Sequence, residues 1–240
     1  MKVLIAAPIS GHKQYSINQW FDWISNQRHA NYEFALCVNG ENQAKLVSML
    51  KQVQVRDVHG QIKKPVILWN TNKKDVKTTF LHNIVHARET LRQYAVKNNY
   101  DKILWLDTDT IPKNLQAIKL LAQQEKPAIS GLYFYKQTTK PVAVSKASGT
   151  NFTIQEIETA IKEKSLLEVG LFGLGCALID RSVFEKVAFE YSEFGTEVSD
   201  DYGFCYALDK LNIEMWLNPT VFCYHLGKAQ ENIAFGIITD

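Results

Sequence analysis

Three groups of residues have the types and spacing that chemistry requires. The sharpest is Leu106-Asp107-Thr108-Asp109, where an apolar run from Ile103 ends in two carboxylates separated by one residue. Carboxylates that close repel each other when both are ionised. A divalent cation resolves the conflict, and hard ions such as Mn2+ or Mg2+ suit carboxylate and phosphate oxygens. The second group is Ser199-Asp200-Asp201, an acidic pair opening a helical pattern. Taken alone, the pair reads as ordinary decoration of a helix N-terminus, where the dipole favours negative charge. The third is Tyr224-His225-Leu226-Gly227, where a histidine closes a strand-like run. A lone histidine is more often structural, but a turn that carried it to Asp109 would make it a metal ligand.

These residues need a scaffold, and the hydrophobic pattern predicts one. Residues 2–8, 33–39, 65–69, 102–106 and 127–132 read as strands. The run at 103–106 fits a central strand buried on both faces. A helix is expected after Ser16, with Ile17, Trp20, Phe21 and Ile24 on one face. Another is expected over 42–53, and the strongest over 79–98, where Phe80, Leu81, Ile84, Val85, Leu91, Tyr94 and Ala95 share a face. Pro112 is expected to open a further helix that ends near Glu125. Asn39-Gly40 stops the second strand, and 70–74 is a polar loop. This alternation argues for an α/β fold with a mainly parallel sheet flanked by helices. In such sheets ligands gather beyond the carboxyl ends of strands, where Asp107 and Asp109 fall.

The second half is less regular. Thr153 and Glu156 fit a capping box. A glycine-rich stretch runs from Gly170 to Gly175. Residues 176–179 read as a strand, 182–187 as a short helix, and 200–211 as a helix capped by Ser199. Residues 213–217 and 220–224 read as the last strands.

Composition narrows the function classes. The chain has 240 residues, 46% apolar and 22% charged, which excludes disorder, a collagen-like repeat and a coiled coil. A net charge of +2 gives no general polyanion footprint, so nucleic acid is not an expected partner. Neither a G-x-G-x-x-G nor a P-loop motif is present, against dinucleotide oxidoreductases and P-loop enzymes. Cys37, Cys176, Cys205 and Cys223 form no C-x-x-C pair and read as buried, reduced thiols. The apolar run at 3–9 is short for a secretory signal, and the stretch 166–179 is too short to span a bilayer. A cytoplasmic protein with no transmembrane segment is expected, with peripheral membrane contact left open.

The order of these features is more specific than any one of them. The text "KILWLDTDTIP", "ISGLYF", "GLGCALIDRSVFEKV" and "SDDYGFCYALDKLNIEMWLNPTVFCYHLG", with "HARE" on the long helix, resembles the GT-A glycosyltransferases. The likeness is greatest to the family-2-like inverting enzymes and covers residues 1–227. It implies one GT-A domain over 1–240, with a nucleotide-sugar half to 109, an acceptor and catalytic half over 110–227, and a tail. It implies hexosyl transfer from a UDP- or GDP-sugar to a glycan, lipid-linked or protein acceptor, with Mn2+ or Mg2+. By resemblance Asp107 holds ribose or sugar hydroxyls, and Asp109 binds the metal with His225 as second ligand. Asp201 is the catalytic base beside Asp200. Arg88 sits under the nucleotide, and Ala7, Pro8 and Ile9 line the base and ribose pocket. Asn39 and Thr108 complete the donor site. Where the family carries acidic residues after strands 2 and 3, this chain has Asn39-Gly40-Glu41 and Asn70-Thr71-Asn72. Glu41 is a substitute for the first, and the nucleotide base stays open.

Two other readings stand beside this one. In a haloacid-dehalogenase-type phosphatase "LWLDTDT" would be the strand–D-x-D motif, Ser130 would follow a later strand, and Asp200 and Asp201 would be the distal acids. Against it, residues 1–106 precede the motif and position 111 is Ile. A non-catalytic nucleotide-sugar-binding protein is the other, since fold does not fix function. Tyr133, Phe134, Tyr135 and Lys136 are either a wall of the acceptor site or ordinary core packing.

Overall fold

The computed structural model describes residues 1–29, 31–40, 43–69, 80–136, 138, 140–142, 145–146, 148–190 and 199–227. The first half runs β1 (Val3–Ile9), a 3-10 turn (Gly11–Ser16), α1 (Ile17–Ser25), β2 (Tyr32–Val38) and α2 (Gln43–Lys51). A short hairpin follows, β3 (Val55–Arg56) and β4 (Ile62–Lys63), then β5 (Val66–Trp69), α3 (Phe80–Lys97) and β6 (Lys102–Leu106). The second half holds β7 (Thr110–Pro112), α4 (Ala117–Ala122), β8 (Ala128–Leu132), α5 (Ile154–Glu163) and β9 (Leu167–Glu168). It closes with β10 (Cys176–Asp180), α6 (Arg181–Phe184), α7 (Asp200–Lys210) and β11 (Met215–His225).

The main sheet has the order β5-β2-β1-β6-β10-β8-β11-β7, with β9 on β11. Strands β5, β2, β1 and β6 are parallel. Strand β10 then runs antiparallel between β6 and β8. Strand β11 is parallel to β8 and antiparallel to β7 and β9. The parallel half matches its pattern, because β1 and β6 are continuous apolar runs covered on both faces. Alternate side chains go to opposite layers. Leu4, Ala6, Ile103 and Trp105 pack with Leu91 and Ala95 of α3 and Phe204 and Leu208 of α7. Val3, Ile5, Leu104 and Leu106 pack with Trp20 and Ile24 of α1, Leu46 of α2 and Leu121 of α4. Each Val, Leu, Ile or Phe among them contributes about 1.5–3 kcal/mol when fully buried.

Several local expectations hold. Thr153 Oγ1 accepts from the Glu156 N–H, and the Glu156 carboxylate accepts from the Thr153 N–H at 2.8 Å. Ser199 Oγ accepts from the Tyr202 N–H at 3.3 Å. All four cysteines are free and buried. Among the described residues no helix is long and apolar enough to cross a membrane.

Other expectations are corrected. Pro112 does not open a helix but lies in β7, paired with Cys223 of β11. A proline at the outer strand of a sheet sacrifices no inward hydrogen bond. The helix begins only at Ala117. In α1 it is Trp23, 3% exposed, that joins Ile17, Trp20 and Ile24 in the core, while Phe21 is partly exposed. The two expected closing strands are one strand, β11, whose register shifts between Asn218 and Phe222. The expected α/β fold, a mainly parallel central sheet flanked by helices, holds, with β10 entering between β6 and β8 in the opposite direction. Glu41, the loop 70–74 with Asn70, Thr71 and Asn72, the first residues of two expected helices (Asn42 and Thr79) and the tail 228–240 lie outside the described residues.

Candidate active site

Five segments converge beyond the carboxyl end of β6. The Asp107 N–H donates to Gly175 O at 3.0 Å, and the chain turns at once, with Thr110 N–H donating back to Asp107 O at 2.9 Å. That turn feeds β7, whose register sets Thr110 opposite His225. Leu226 N–H then donates to Asp109 O at 2.8 Å, so the end of β11 is fastened to the D-x-D turn. From the other side, the 3-10 turn after β1 brings Lys13 and Tyr15. It is held by α1, whose Trp20 indole donates to Leu106 O at 3.1 Å. Lys136 arrives from the segment after β8.

The glycine-rich stretch supplies backbone to three of these groups. Leu174 N–H donates to Asp201 Oδ1 at 3.0 Å, and Gly175 N–H donates to the Tyr133 hydroxyl at 2.8 Å. Gly175 O accepts from Asp107. The glycines permit this approach: a Cβ on Gly173 would lie 2.1 Å from the Tyr133 hydroxyl, and one on Gly175 2.6 Å from it.

Asp109 is the buried hub, only 1% exposed. Its Oδ1 accepts from Lys13 Nζ at 2.8 Å. Its Oδ2 accepts from Lys136 Nζ at 2.9 Å and from the Tyr15 hydroxyl at 3.1 Å. His225 Nε2 lies 3.7 Å from the same oxygen. Burial opposes ionisation of Asp109, but His225, Lys13 and Lys136 outweigh it and hold the carboxyl well below the usual range. Lys13 also lies 3.6 Å from Asp107 Oδ2. Burial disfavours its charge, yet Asp107 and Asp109 hold the ammonium protonated above its ordinary value.

Arg88, 2% exposed on α3, divides the other carboxylates. Its Nε donates to Asp200 Oδ2, its Nη2 donates to Asp107 Oδ1 at 3.1 Å, and its guanidinium lies over the Trp105 ring. Asp200 is thus neutralised by an ion pair. Asp201 takes one backbone N–H, and among the described residues no donor reaches its Oδ2. Burial first, then Asp200, push the Asp201 carboxyl up to about 7.

Pro8, Ser10, Lys13, Asn39, Ile84, Arg88, Asp107, Asp200 and Asp201 line a narrow cleft of about 70 Å³. That is well below the roughly 300–1,000 Å³ of typical small-molecule sites.

Asp109 and His225 are the residues here that could hold a divalent ion. His225 Nδ1 donates to Phe134 O at 3.0 Å, which points Nε2 at Asp109 Oδ2. A backbone carbonyl on one ring nitrogen is the usual support for a metal bond at the other. The buried hydroxyls of Thr108 and Thr110, on either side of Asp109, have no hydrogen-bond partner among the described residues. Among the described residues no three acidic, histidine or cysteine side chains form a metal cage. An ion here would take its other ligands from phosphate and water.

Most expected site residues meet at this place: Asp107, Asp109, Asp200, Asp201, Arg88, Asn39, Pro8 and His225. The side chains of Ala7 and Ile9 do not line the cleft, because alternation along β1 turns them into the core while Pro8 faces the other way. Thr108 is fully buried and does not line it either. Tyr133 is not an acceptor wall but a core residue, 4% exposed, whereas Tyr135 is exposed and Lys136 is bound to Asp109. Ser130, which a phosphatase would need at a strand end, lies inside β8 with its hydroxyl on a backbone carbonyl. Lys13 and Tyr15 were not expected. Their one signal is position, since both follow the carboxyl end of the first strand.

No protein-family profile and no curated protein matches the sequence. Solved structures do resemble the fold. A197 from STIV superposes with a TM-score of 0.55 at 16% identity, over 95% of this chain and 86% of that one. The mannosyltransferase PcManGT from Pyrobaculum calidifontis, in complex with GDP-Man and Mn2+, gives 0.57 at 14% identity, over 95% of this chain and 58% of that one. GalNAc-T7 with UDP, GalNAc and Mn2+ gives 0.62 at 12% identity, over 96% and 45%. The chain thus spans little more than half of the mannosyltransferase and under half of GalNAc-T7. The likeness at these identities concerns architecture, and the architecture of this chain is the GT-A fold.

Proposed function

We propose that the chain transfers a hexosyl unit from a UDP- or GDP-sugar to the hydroxyl of a glycan, lipid-linked or protein acceptor, with inversion. The observation that carries this reading is the unequal treatment of four neighbouring carboxylates. Asp109 faces cations, Asp107 and Asp200 are fastened to Arg88, and Asp201 is left near neutrality with one oxygen that no donor among the described residues reaches. That is what a transferase needs: a cation-and-phosphate end, a rigid floor, and one base with its pKa near working pH. Mn2+ or Mg2+ between Asp109 and His225 would supply neutralisation of the charge that develops on the leaving diphosphate.

The remaining work belongs to the chain's own side chains. Asp107, partly exposed beside Arg88, holds ribose or sugar hydroxyls, and Pro8 and Asn39 face the nucleoside. Asp201 Oδ2 takes the acceptor's proton as the acceptor oxygen bonds to the anomeric carbon. The bond from that carbon to the diphosphate oxygen breaks on the opposite face, so a single displacement inverts the centre. Free buried thiols fit a reducing compartment, in keeping with a cytoplasmic enzyme, soluble or peripheral at a membrane.

A screen of UDP- and GDP-sugars for donor turnover with Mn2+ or Mg2+, with product linkage read by NMR, tests the reading. Turnover should vanish in excess chelator and return with metal. Asp109→Asn should abolish metal-dependent donor binding, and His225→Ala should weaken it less. Full activity in chelator overturns the metal role. A product that retains the donor configuration overturns the single displacement. Release of inorganic phosphate from phosphomonoesters would favour a phosphatase, and donor binding with no turnover a non-catalytic protein.

A further inference from the structure

Asp109 is 1% exposed, so nothing reaches its carboxylate without displacing what covers it. The cover is cationic. Lys13 Nζ sits on Oδ1 and bridges towards Asp107, the place between two carboxylates where a cation is expected. Lys136 Nζ sits on Oδ2 and also donates to the Tyr15 hydroxyl at 2.9 Å. Both ammonium groups are partly exposed, 27% and 37% at the side chain, on flexible stems that can swing. Arg88 neutralises the other side, and Asp201 stands near neutrality, so this cluster of side chains carries little net charge. A divalent ion arriving alone would meet two ammonium groups within 3 Å of its ligand oxygens. A donor diphosphate changes this, because its oxygens can accept both lysines and release Asp109. Lys13 also lies in the wall of the cleft, beside Asp107 and Arg88.

We propose that Lys13 and Lys136 are resident counter-ions of the Asp107–Asp109 pair, which compete with the divalent ion and yield Asp109 to it only by moving onto the donor diphosphate. The proposal rests on the nucleotide-sugar reading of the site. It makes metal and donor bind as a unit, the metal weakly alone and tightly with nucleotide.

The test measures free Mn2+ by electron paramagnetic resonance during titration of the whole chain, first with Mn2+ alone and then with UDP or GDP. Lys13→Met and Lys136→Gln are compared with the parent, and Asp109→Asn marks loss of the site. Both lysine variants should bind Mn2+ alone more tightly, by roughly tenfold, because a like charge beside the ion is gone. With Mn2+ saturating, both should bind UDP or GDP more weakly. Lys136→Gln, at the more exposed position, keeps the test decisive if Lys13→Met does not fold. Mn2+ affinity unchanged or weakened without nucleotide overturns the proposal. If Mn2+ and nucleotide still bind together in that case, the transferase reading stands. Tighter Mn2+ with unchanged nucleotide affinity overturns the transfer of the lysines to phosphate. Absence of Mn2+ binding under every condition overturns this proposal and the metal reading together.

Discussion

At the scale of single residues, Asp200 and Asp201 are adjacent acids with different fates because one guanidinium reaches only the first. Asp200 is spent on Arg88, whose charge is buried and cannot be left alone. Asp201→Asn should lower turnover by roughly 10²–10⁴-fold, the usual worth of a general base, with donor affinity unchanged. Asp200→Asn should instead lower the melting temperature, at a cost of about 1.5–3 kcal/mol for one charged hydrogen bond. A larger turnover loss in Asp200→Asn, at equal folded fraction, would reverse the two roles. The pH dependence follows from the same carboxyl. Its folded pKa, about 7, lies above the ordinary value of 3.8. The stability it contributes is therefore fully present below about pH 4 and lost as pH rises through 7. Asp201→Asn, neutral throughout, should melt higher than the parent at pH 8 and lose that advantage at pH 4. In the parent, kcat/KM should rise with pH through about 7, and the limb should disappear in the variant. Calorimetry at both pH values and a pH–rate profile check the pair of effects.

At the scale of elements, the stretch Gly170 to Gly175 is a backbone hub rather than a flexible loop. It serves Asp107, Asp201 and Tyr133 with one carbonyl and two N–H groups. Gly173→Ala should destabilise the fold by about 1–3 kcal/mol, the cost of forcing a methyl into filled space. Tyr133→Phe on that background should recover part of the loss, since it removes the hydroxyl 2.1 Å from the new Cβ. Denaturant midpoints of the two variants decide this, and no recovery would mean that the ring itself is the obstacle. The same scale shows what the sequence made legible. Strands β1 and β6 and the cap at Thr153 were readable because their signals are local: apolar runs and a three-residue spacing. Pro112 was misread because proline suits a first helical turn and an outer strand equally, and only the partner β11 decides. The cationic cover of Asp109 left no local trace. Lys13 lies 96 residues from Asp109 in sequence, and Lys136 lies 27. Such pairings exist only once β7 meets β11 and the turn after β1 is docked by Trp20.

At the scale of the whole molecule, the site lies across the seam of a mixed sheet. Asp107, Arg88 and Lys13 come from the parallel half, and Asp201, Lys136 and His225 from the half beyond β10. The site therefore requires both halves to be docked, and its integrity reports their cohesion. The buried cysteines give that cohesion a clock. Burial pushes the Cys37 thiol of β2 up to about 12, and also raises the thiols of Cys205 of α7 and Cys223 of β11 well above the ordinary value. Alkylating reagents attack the thiolate, so at neutral pH these sulfurs react only when the chain around them opens. Labelling thus becomes a stopwatch for opening, with one hand in each half of the sheet. Equal rates at Cys37 and Cys223 would mean that the molecule opens all at once, and faster labelling at Cys223 that the half carrying His225 breathes first.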